Sequence, residues 1–254
     1  MSLVMGKLKN SFDILMIKKN LRFLIRLIGW ELHRLKPSSD PTAQLLAALN
    51  QARINTVFDI GANTGQFTSD LFSLGFDGKV ISFEPLEEAH AQLSSSAKSN
   101  INWFVNPRTA VGDRDGETVI NVAGNSVSSS ILPMLDKHFS AAPASAYTAI
   151  QKTSLIRLDS VASQYLNEDS RLFIKVDTQG FEWQVLSGAP ETLKQAQGVL
   201  LELSLVPLYE GQHLWLETIA RIEAEGFTLW SLQQGFTDPR SGRTLQIDAI
   251  FLRQ

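Results

Sequence analysis

From residue 42 onward, apolar runs of strand length alternate with amphipathic stretches of helical length. Runs at 54–60, 79–84, 103–106, 171–177 and 199–204 are rich in Val, Ile, Leu and Phe and are bounded by turn residues, which predicts strands. Helical spacing predicts helices over 42–53, from about 65 to 74, and over 87–99, 181–195 and 214–225. Alternation of this kind specifies a parallel sheet with helices on both faces. Two further strands, 228–232 and 247–252, are joined by a loop of turn residues with no helix, so they must run antiparallel. The pattern predicts an α/β fold: a mostly parallel seven-stranded sheet closing on an antiparallel terminal hairpin.

Two stretches fall outside this rhythm. Residues 108–157 read as polar loops around two hairpin strands, 118–122 and 154–158. At the N-terminus, Leu21, Ile25, Ile28, Leu32 and Leu35 recur at helical spacing, with Lys18, Arg22 and Arg26 on another face. This basic amphipathic helix ends at a proline-bracketed linker, Lys36-Pro37-Ser38-Ser39-Asp40-Pro41. The chain is expected to divide into residues 1–40, the helix and linker, and residues 41–254, the α/β domain. The helix suits packing on its own domain, a homodimer contact, or a peripheral contact with a membrane surface.

Charge sharpens the division. Residues 1–36 hold 8 Lys and Arg against Asp13 and Glu31, a local +6, in a chain of net charge −3. Basic residues interrupt the apolar stretch, which excludes an ordinary spanning helix and argues against a secretion signal. The overall acidity argues against a nucleic-acid partner. With no cysteine, disulfides, thiolate metal sites, iron–sulfur clusters and cysteine nucleophiles are all excluded. The absence fits a reducing compartment, and a cytoplasmic location is expected, with membrane-peripheral placement through the basic helix as its variant.

Candidate chemistry gathers at strand ends, because open α/β sheets bind ligands beyond the carboxyl ends of their strands. The first strand runs into Asp59-Ile60-Gly61-Ala62-Asn63-Thr64-Gly65. Gly61 and Gly65 permit a tight turn and close approach to a ligand, and they equally suit a structural strand–helix turn. The spacing is not the G-x-G-x-x-G that cradles a pyrophosphate, which Asp59 would repel. Asp59 suits an ammonium, such as that of S-adenosylmethionine. Glu84-Pro85 ends the second strand, where an acid accepts hydrogen bonds from both hydroxyls of a ribose. Asp113 either receives an adenine amine or belongs to a plain turn, Asp113-Arg114-Asp115-Gly116.

These segments carry a family resemblance. The stretches VFDIGANTGQF (57–67), ISFEP (81–85), AVGDRDGE (110–117), SVSSSIL (126–132), IKVDTQGFEWQVLSGA (174–189), LLELSL (200–205) and QIDAIFL (246–252) resemble the FkbM family of methyltransferases. The resemblance covers roughly residues 54–252 and is most specific at 174–189. It implies a Rossmann-like, class I methyltransferase fold and S-adenosylmethionine as cofactor. It further implies O-methylation of a hydroxyl on a sugar-like or secondary-metabolite acceptor, a small molecule or a glycan. The usual family sequence has an acid where this chain has Gln179. The competing expectations are action on a lipid-linked glycan at a membrane, a nicotinamide-dependent oxidoreductase, or a non-catalytic module.

The expected site residues follow. Asp59, Gly61, Ala62, Asn63, Gly65, Glu84, Pro85, Asp113 and Asp177 are expected to bind the cofactor. Asp177, ending the fourth strand, is also the first candidate for a general base, and His213, after the fifth, is the second. Lys175, two residues before Asp177 and so on the same face, is expected to steer an anionic acceptor or to tune Asp177. Glu182 suits either the site or its helix dipole. Glu202, an acid in an apolar strand, needs a partner. Ser128, Ser129 and Ser130 are expected to hydrogen-bond a polar acceptor, and Trp183, Trp215 and Tyr209 either stack on a ring or pack the core. The irregular 108–157 stretch and the 207–213 loop are expected to form the acceptor pocket. No carboxylate cluster tight enough for a metal is read from the sequence.

Overall fold

The computed structural model describes residues 23, 25–27, 29 and 36–253. The chain divides into two compact units, Met1–Gln44 and Leu45–Gln254. In the first unit, Phe23 and residues 25–27 are helical, with Phe23 and Leu27 exposed. The rest of the expected basic helix lies outside the described residues. Helix α1 (Pro41–Gln51) opens with Asp40 Oδ1 accepting the Ala43 N–H at 2.8 Å. Pro41 takes the first helical position, where a missing N–H costs nothing. Among the described residues, no helix is long and apolar enough to cross a membrane.

The second unit follows the predicted rhythm. Its strands and helices run β1 (Thr56–Ile60), α2 (Gln66–Ser73), β2 (Lys79–Phe83), α3 (Glu87–Ala97) and β3 (Trp103–Val105). The interruption holds β4 (Thr109–Gly112), β5 (Gly116–Ala123), α4 (Asp136–Ala141), β6 (Tyr147–Arg157) and α5 (Leu158–Val161). The chain then returns through β7 (Leu172–Val176), α6 (Glu182–Ser187), α7 (Pro190–Gln195), β8 (Ala196–Ser204), α8 (Trp215–Ala224), β9 (Phe227–Gln234) and β10 (Gln246–Arg253). Seven strands form one sheet in the order β3-β2-β1-β7-β8-β10-β9. All pairs are parallel except those of β10, which is antiparallel to both β8 and β9.

Period-two alternation gives the sheet its two buried faces. Val57, Val80, Phe173 and Ile250 pack with Leu45, Leu49, Leu71 and Leu93 on one face. Phe58, Ile60, Ile174 and Val176 pack with Leu158, Val185, Leu193 and Ile222 on the other. Strand order reverses between β1 and β7, which opens a crevice over their carboxyl ends.

Two local expectations change. The helix expected over 181–195 is two helices. Pro190 lacks an N–H to continue the first, and Gly188 lies so close to β4 that a Cβ there would sit 1.8 Å from the Gly112 carbonyl oxygen. The interruption builds a second sheet, β4-β6-β5, in which a third strand, β4, joins the two expected hairpin strands. β5 and β6 are antiparallel as expected, with Thr118 opposite Thr153, while β4 runs parallel to β6.

Candidate active site

Asp59 and Lys175 are register partners on β1 and β7, so their side chains share a face. Both are buried, and Lys175 Nζ lies 3.1 Å from Asp59 Oδ1. Thr68 Oγ1 on α2 donates to Asp59 Oδ2 at 2.9 Å. Lys175 Nζ also donates to the Gly61 carbonyl at 3.0 Å and lies 3.6 Å from Asp177 Oδ2. Burial alone would lower the lysine's pKa, but the carboxylates of Asp59 and Asp177 outweigh it and hold Lys175 above its ordinary value. This corrects two expectations. Asp59 is spent on Lys175 and Thr68 rather than presented to a ligand's ammonium. Lys175 is a buried counter-ion rather than a group reaching for an anionic acceptor.

The glycine loop is tight for reasons of packing. Gly61 has φ +77° and a Cβ there would meet the Asp177 carbonyl oxygen at 1.8 Å. Gly65, at φ +95°, faces the Trp103 indole. The close approach that each glycine permits is therefore to the protein's own β7 tip and β3. Gly61 N–H and Ala62 N–H both donate to the Phe83 carbonyl at 3.1 Å, which ties the loop to β2. Glu84, just past β2, is 3% exposed. Its Oε2 accepts the Asn63 N–H at 2.7 Å and its Oε1 the Leu86 N–H at 2.8 Å. Burial pushes its pKa up to about 7, against the pull of those two N–H groups. The Pro85 carbonyl accepts from Arg108 at 3.0 Å.

Asp113 lies apart from this cluster. The Thr109 N–H reaches the Glu84 carbonyl at 3.3 Å, which puts the start of β4 beside Glu84. Asp113 lies beyond the other end of that strand, ~13 Å away at the usual rise. There it is exposed and ion-pairs with Arg114 at 3.0 Å. The turn alternative describes it, and the adenine alternative does not.

Asp177 is partly open to the crevice, with a side chain 37% exposed. Beside it lies a network that the sequence did not announce. Gln179 Nε2 donates to Asp177 Oδ1 at 2.9 Å and to Glu202 Oε2 at 2.7 Å. Gln246 Nε2 donates to the same Glu202 oxygen at 2.7 Å. Tyr209, fully buried, donates its hydroxyl to Gln179 Oε1 at 2.8 Å and so fixes which way the amide points. Gln179 itself sits at φ +55°, where its carbonyl accepts from Ser130 Oγ at 2.6 Å. The partner that Glu202 needed is thus the amide of Gln179, reinforced by Gln246.

Glu182 closes the turn after β7. Its Oε1 accepts N–H groups from Thr178 (2.9 Å) and Gly180 (3.1 Å), and burial pushes its pKa up to about 7. The serine run ties loops together. Ser126 Oγ meets Asn63 Nδ2 at 3.2 Å, Ser129 Oγ accepts the Ala123 N–H, and Ser128 and Ser130 are buried. His213 Nδ1 pairs with Glu217 at 2.8 Å, and its ring stacks on Trp183 with centroids 3.8 Å apart. Those contacts engage His213 with α8 and α6. Among the described residues, no group of three or more His, Asp or Glu side chains is placed to hold a metal.

Solved structures to which the chain is similar include TehB from Haemophilus influenzae, 11% identical over 83% of this chain and 62% of that one, with a TM-score of 0.44. A 1,6-didemethyltoxoflavin-N1-methyltransferase from Burkholderia thailandensis, solved with S-adenosylhomocysteine, is 12% identical over 84% and 77%, with a TM-score of 0.44. An rRNA methylase from Streptococcus thermophilus is 13% identical over 84% and 97%, with a TM-score of 0.45. No curated protein sequence matches the chain. The methyltransferase FkbM domain model matches residues 59–229, a span that starts at the buried Asp59 and ends within β9. That span exceeds half of the chain and includes the glycine loop, Glu84, Asp177 and Glu202, and the chain belongs to the FkbM methyltransferase family.

Proposed function

We propose that the chain uses S-adenosylmethionine to methylate a hydroxyl on a small sugar-like or secondary-metabolite acceptor. The observation that carries the donor assignment is the placing of two acids around the glycine loop: Glu84 pinned at the end of β2, and Asp177 open at the end of β7. The donor set fits a cationic nucleoside. Each Glu84 oxygen spends one lone pair on a backbone N–H and keeps another for a ribose hydroxyl. Asp177, not Asp59, is the carboxylate left to take an ammonium. A pyrophosphate would meet the same two acids and be repelled.

When bound, S-adenosylmethionine supplies an electrophilic methyl group on a sulfonium. The chain's residues hold the two reactants in line and exclude water, a contribution worth up to ~7–11 kcal/mol of barrier in favourable systems. The strand order separates their sides. Glu84 and the glycine loop lie over β2 and β1, Asp177 over β7, and Glu202 and Asp248 over β8 and β10. The donor belongs over the first pair and the acceptor over the last.

Isothermal titration with S-adenosylmethionine and S-adenosylhomocysteine, with NADH as control, tests the reading. Binding of the first two, weakened by Glu84→Ala, supports it and opens a screen of methyl glycosides as acceptors. Preference for NADH, or no binding, overturns it.

A further inference from the structure

Glu202 differs from Glu84 and Asp177 in how its two oxygens are used. Both nearby amide donors, Gln179 Nε2 and Gln246 Nε2, converge on Oε2 at 2.7 Å each. Among the described residues, Oε1 has no hydrogen-bond partner. Glu202 is partly exposed, and Oε1 is not among the sealed, unpartnered atoms of the chain. One oxygen is therefore fixed and the other is left open.

Asp177 is arranged differently. Its Oδ1 is taken by Gln179 and its Oδ2 faces the Lys175 ammonium. The register places the two acids side by side, since β7 and β8 align Val176 with Leu201 and each acid is the next residue along the chain. Asp177 is the member next to β1 and the glycine loop, whose Gly61 touches the Asp177 backbone. Glu202 is the member next to β10 and away from the loop.

We propose that Glu202 accepts the acceptor's proton through Oε1, and that Gln179 is the positioning residue that holds it. This rests on the donor reading above. The acceptor O–H bond breaks and its proton passes to Glu202 Oε1. The electron pair freed on that oxygen forms the new bond to the methyl carbon of S-adenosylmethionine. The methyl–sulfur bond breaks with its pair left on sulfur, giving the neutral thioether. A carboxylate and a sulfonium are consumed, and a carboxylic acid and a thioether are formed, so charge balances. Gln179 is held for this task from both ends, by Tyr209 on its amide oxygen and by Ser130 on its carbonyl.

The surroundings agree. Burial, then the carboxylates of Asp177, Asp248 and Glu182, raise the pKa of Glu202, with Lys175 opposing. Tyr209 adds no charge, because burial keeps its phenol protonated. A carboxylate poised in this way is a stronger base than a solvated one. The sulfonium of the donor would favour its ionised form only while the donor is bound.

The test uses the full chain with glutamate carboxyl carbons labelled with carbon-13. The Glu202 signal is the one lost in Glu202→Gln, which preserves the shape and an oxygen acceptor for Gln179 and Gln246. Titrated by NMR, it is expected to protonate above the ordinary carboxylate range. With S-adenosylmethionine it should shift down by about one unit or more relative to S-adenosylhomocysteine, because only the former carries the sulfonium. Glu202→Gln is expected to bind S-adenosylmethionine within about twofold of the unaltered chain, yet to transfer methyl to a methyl glycoside panel ~10²–10⁴-fold more slowly. Identical titration with the two ligands, or transfer slowed by less than about threefold, overturns the proposal even though the donor binds. Failure of both ligands to bind either chain overturns the donor reading, and this proposal with it. The carboxyl titration decides the matter even if no glycoside is methylated.

Discussion

Lys175 Nζ and Asp59 Oδ1 form an ion pair at 3.1 Å in which both residues are buried. Removing one partner strands a buried charge. Lys175→Met and Asp59→Asn are each expected to cost about 3–5 kcal/mol of folding stability. Urea denaturation checks this. The double variant should recover part of the loss, since it leaves no fully buried charge unpaired, and a strictly additive double variant would contradict the pairing.

Gly61→Ala should be more damaging than an exposed glycine substitution such as Gly211→Ala. Both glycines have positive φ, but only at Gly61 does a Cβ meet backbone, at 1.8 Å from the Asp177 carbonyl oxygen. The φ penalty is ~1–2 kcal/mol at either position. The clash adds to it at Gly61 alone. A thermal melt comparing the two variants checks the difference, and equal melting temperatures would refute it.

Stability is expected to fall as the solution is made less acidic across the weakly acid range. Glu84 and Glu182 are pushed from 4.5 to about 7 in the folded chain, and Asp248 from 3.8 to about 6, all by burial first. The folded state then binds protons more tightly than the unfolded one. That contribution is fully present below the unfolded pKa values and is lost as pH rises through the folded ones. Each unit of difference is worth about 1.4 kcal/mol per group. Denaturation free energies across this range should decline, and Glu84→Gln should flatten the slope. A slope of the opposite sign in the unaltered chain would show that these acids are ionised without penalty.

Gln179→Glu restores the acid usual in the family, at a point where this chain places an amide between two carboxylates. The change removes both donors, to Asp177 and to Glu202, and adds a third carboxylate. In metal-free buffer the variant is expected to lose about 1–3 kcal/mol. Millimolar Mg²⁺ should raise its melting temperature while leaving the unaltered chain unmoved, because three oxygen ligands converge only in the variant. No response to Mg²⁺ or Mn²⁺ would mean that the three carboxylates diverge.

The sheet was legible because its strands are buried on both faces and read as apolar runs of the right length. The break at Gly188-Ala189-Pro190 is masked in the sequence because the helical periodicity continues across it, and Pro190 is its one local signal. The small second sheet was half seen. β5 and β6 have strand composition, but their pairing spans a long connection that no turn motif announces. In the site, strand-end acids were found because topology alone points to them. Which acid is open and which is sealed was not readable. That depends on Lys175 crossing to Asp59 and on Gln246 crossing to Glu202, each far away in sequence. Gln179 stands out in the sequence as a departure from its family, but its bridging role depends on strands that only the fold brings together.

The place of β10 bears on how the chain acquires its shape. Gln246–Arg253 slots between β8 and β9, which do not pair with each other. Until it arrives, both neighbours present unsatisfied edges, and that of β8 carries Val199, Leu200, Leu201 and Leu203. A partly folded chain would therefore offer an adhesive slot to any extended segment, including the same strand from another molecule. Closing that slot quickly protects the chain from self-association and, by delivering Gln246 to Glu202, completes the proton-accepting end of the crevice in the same event.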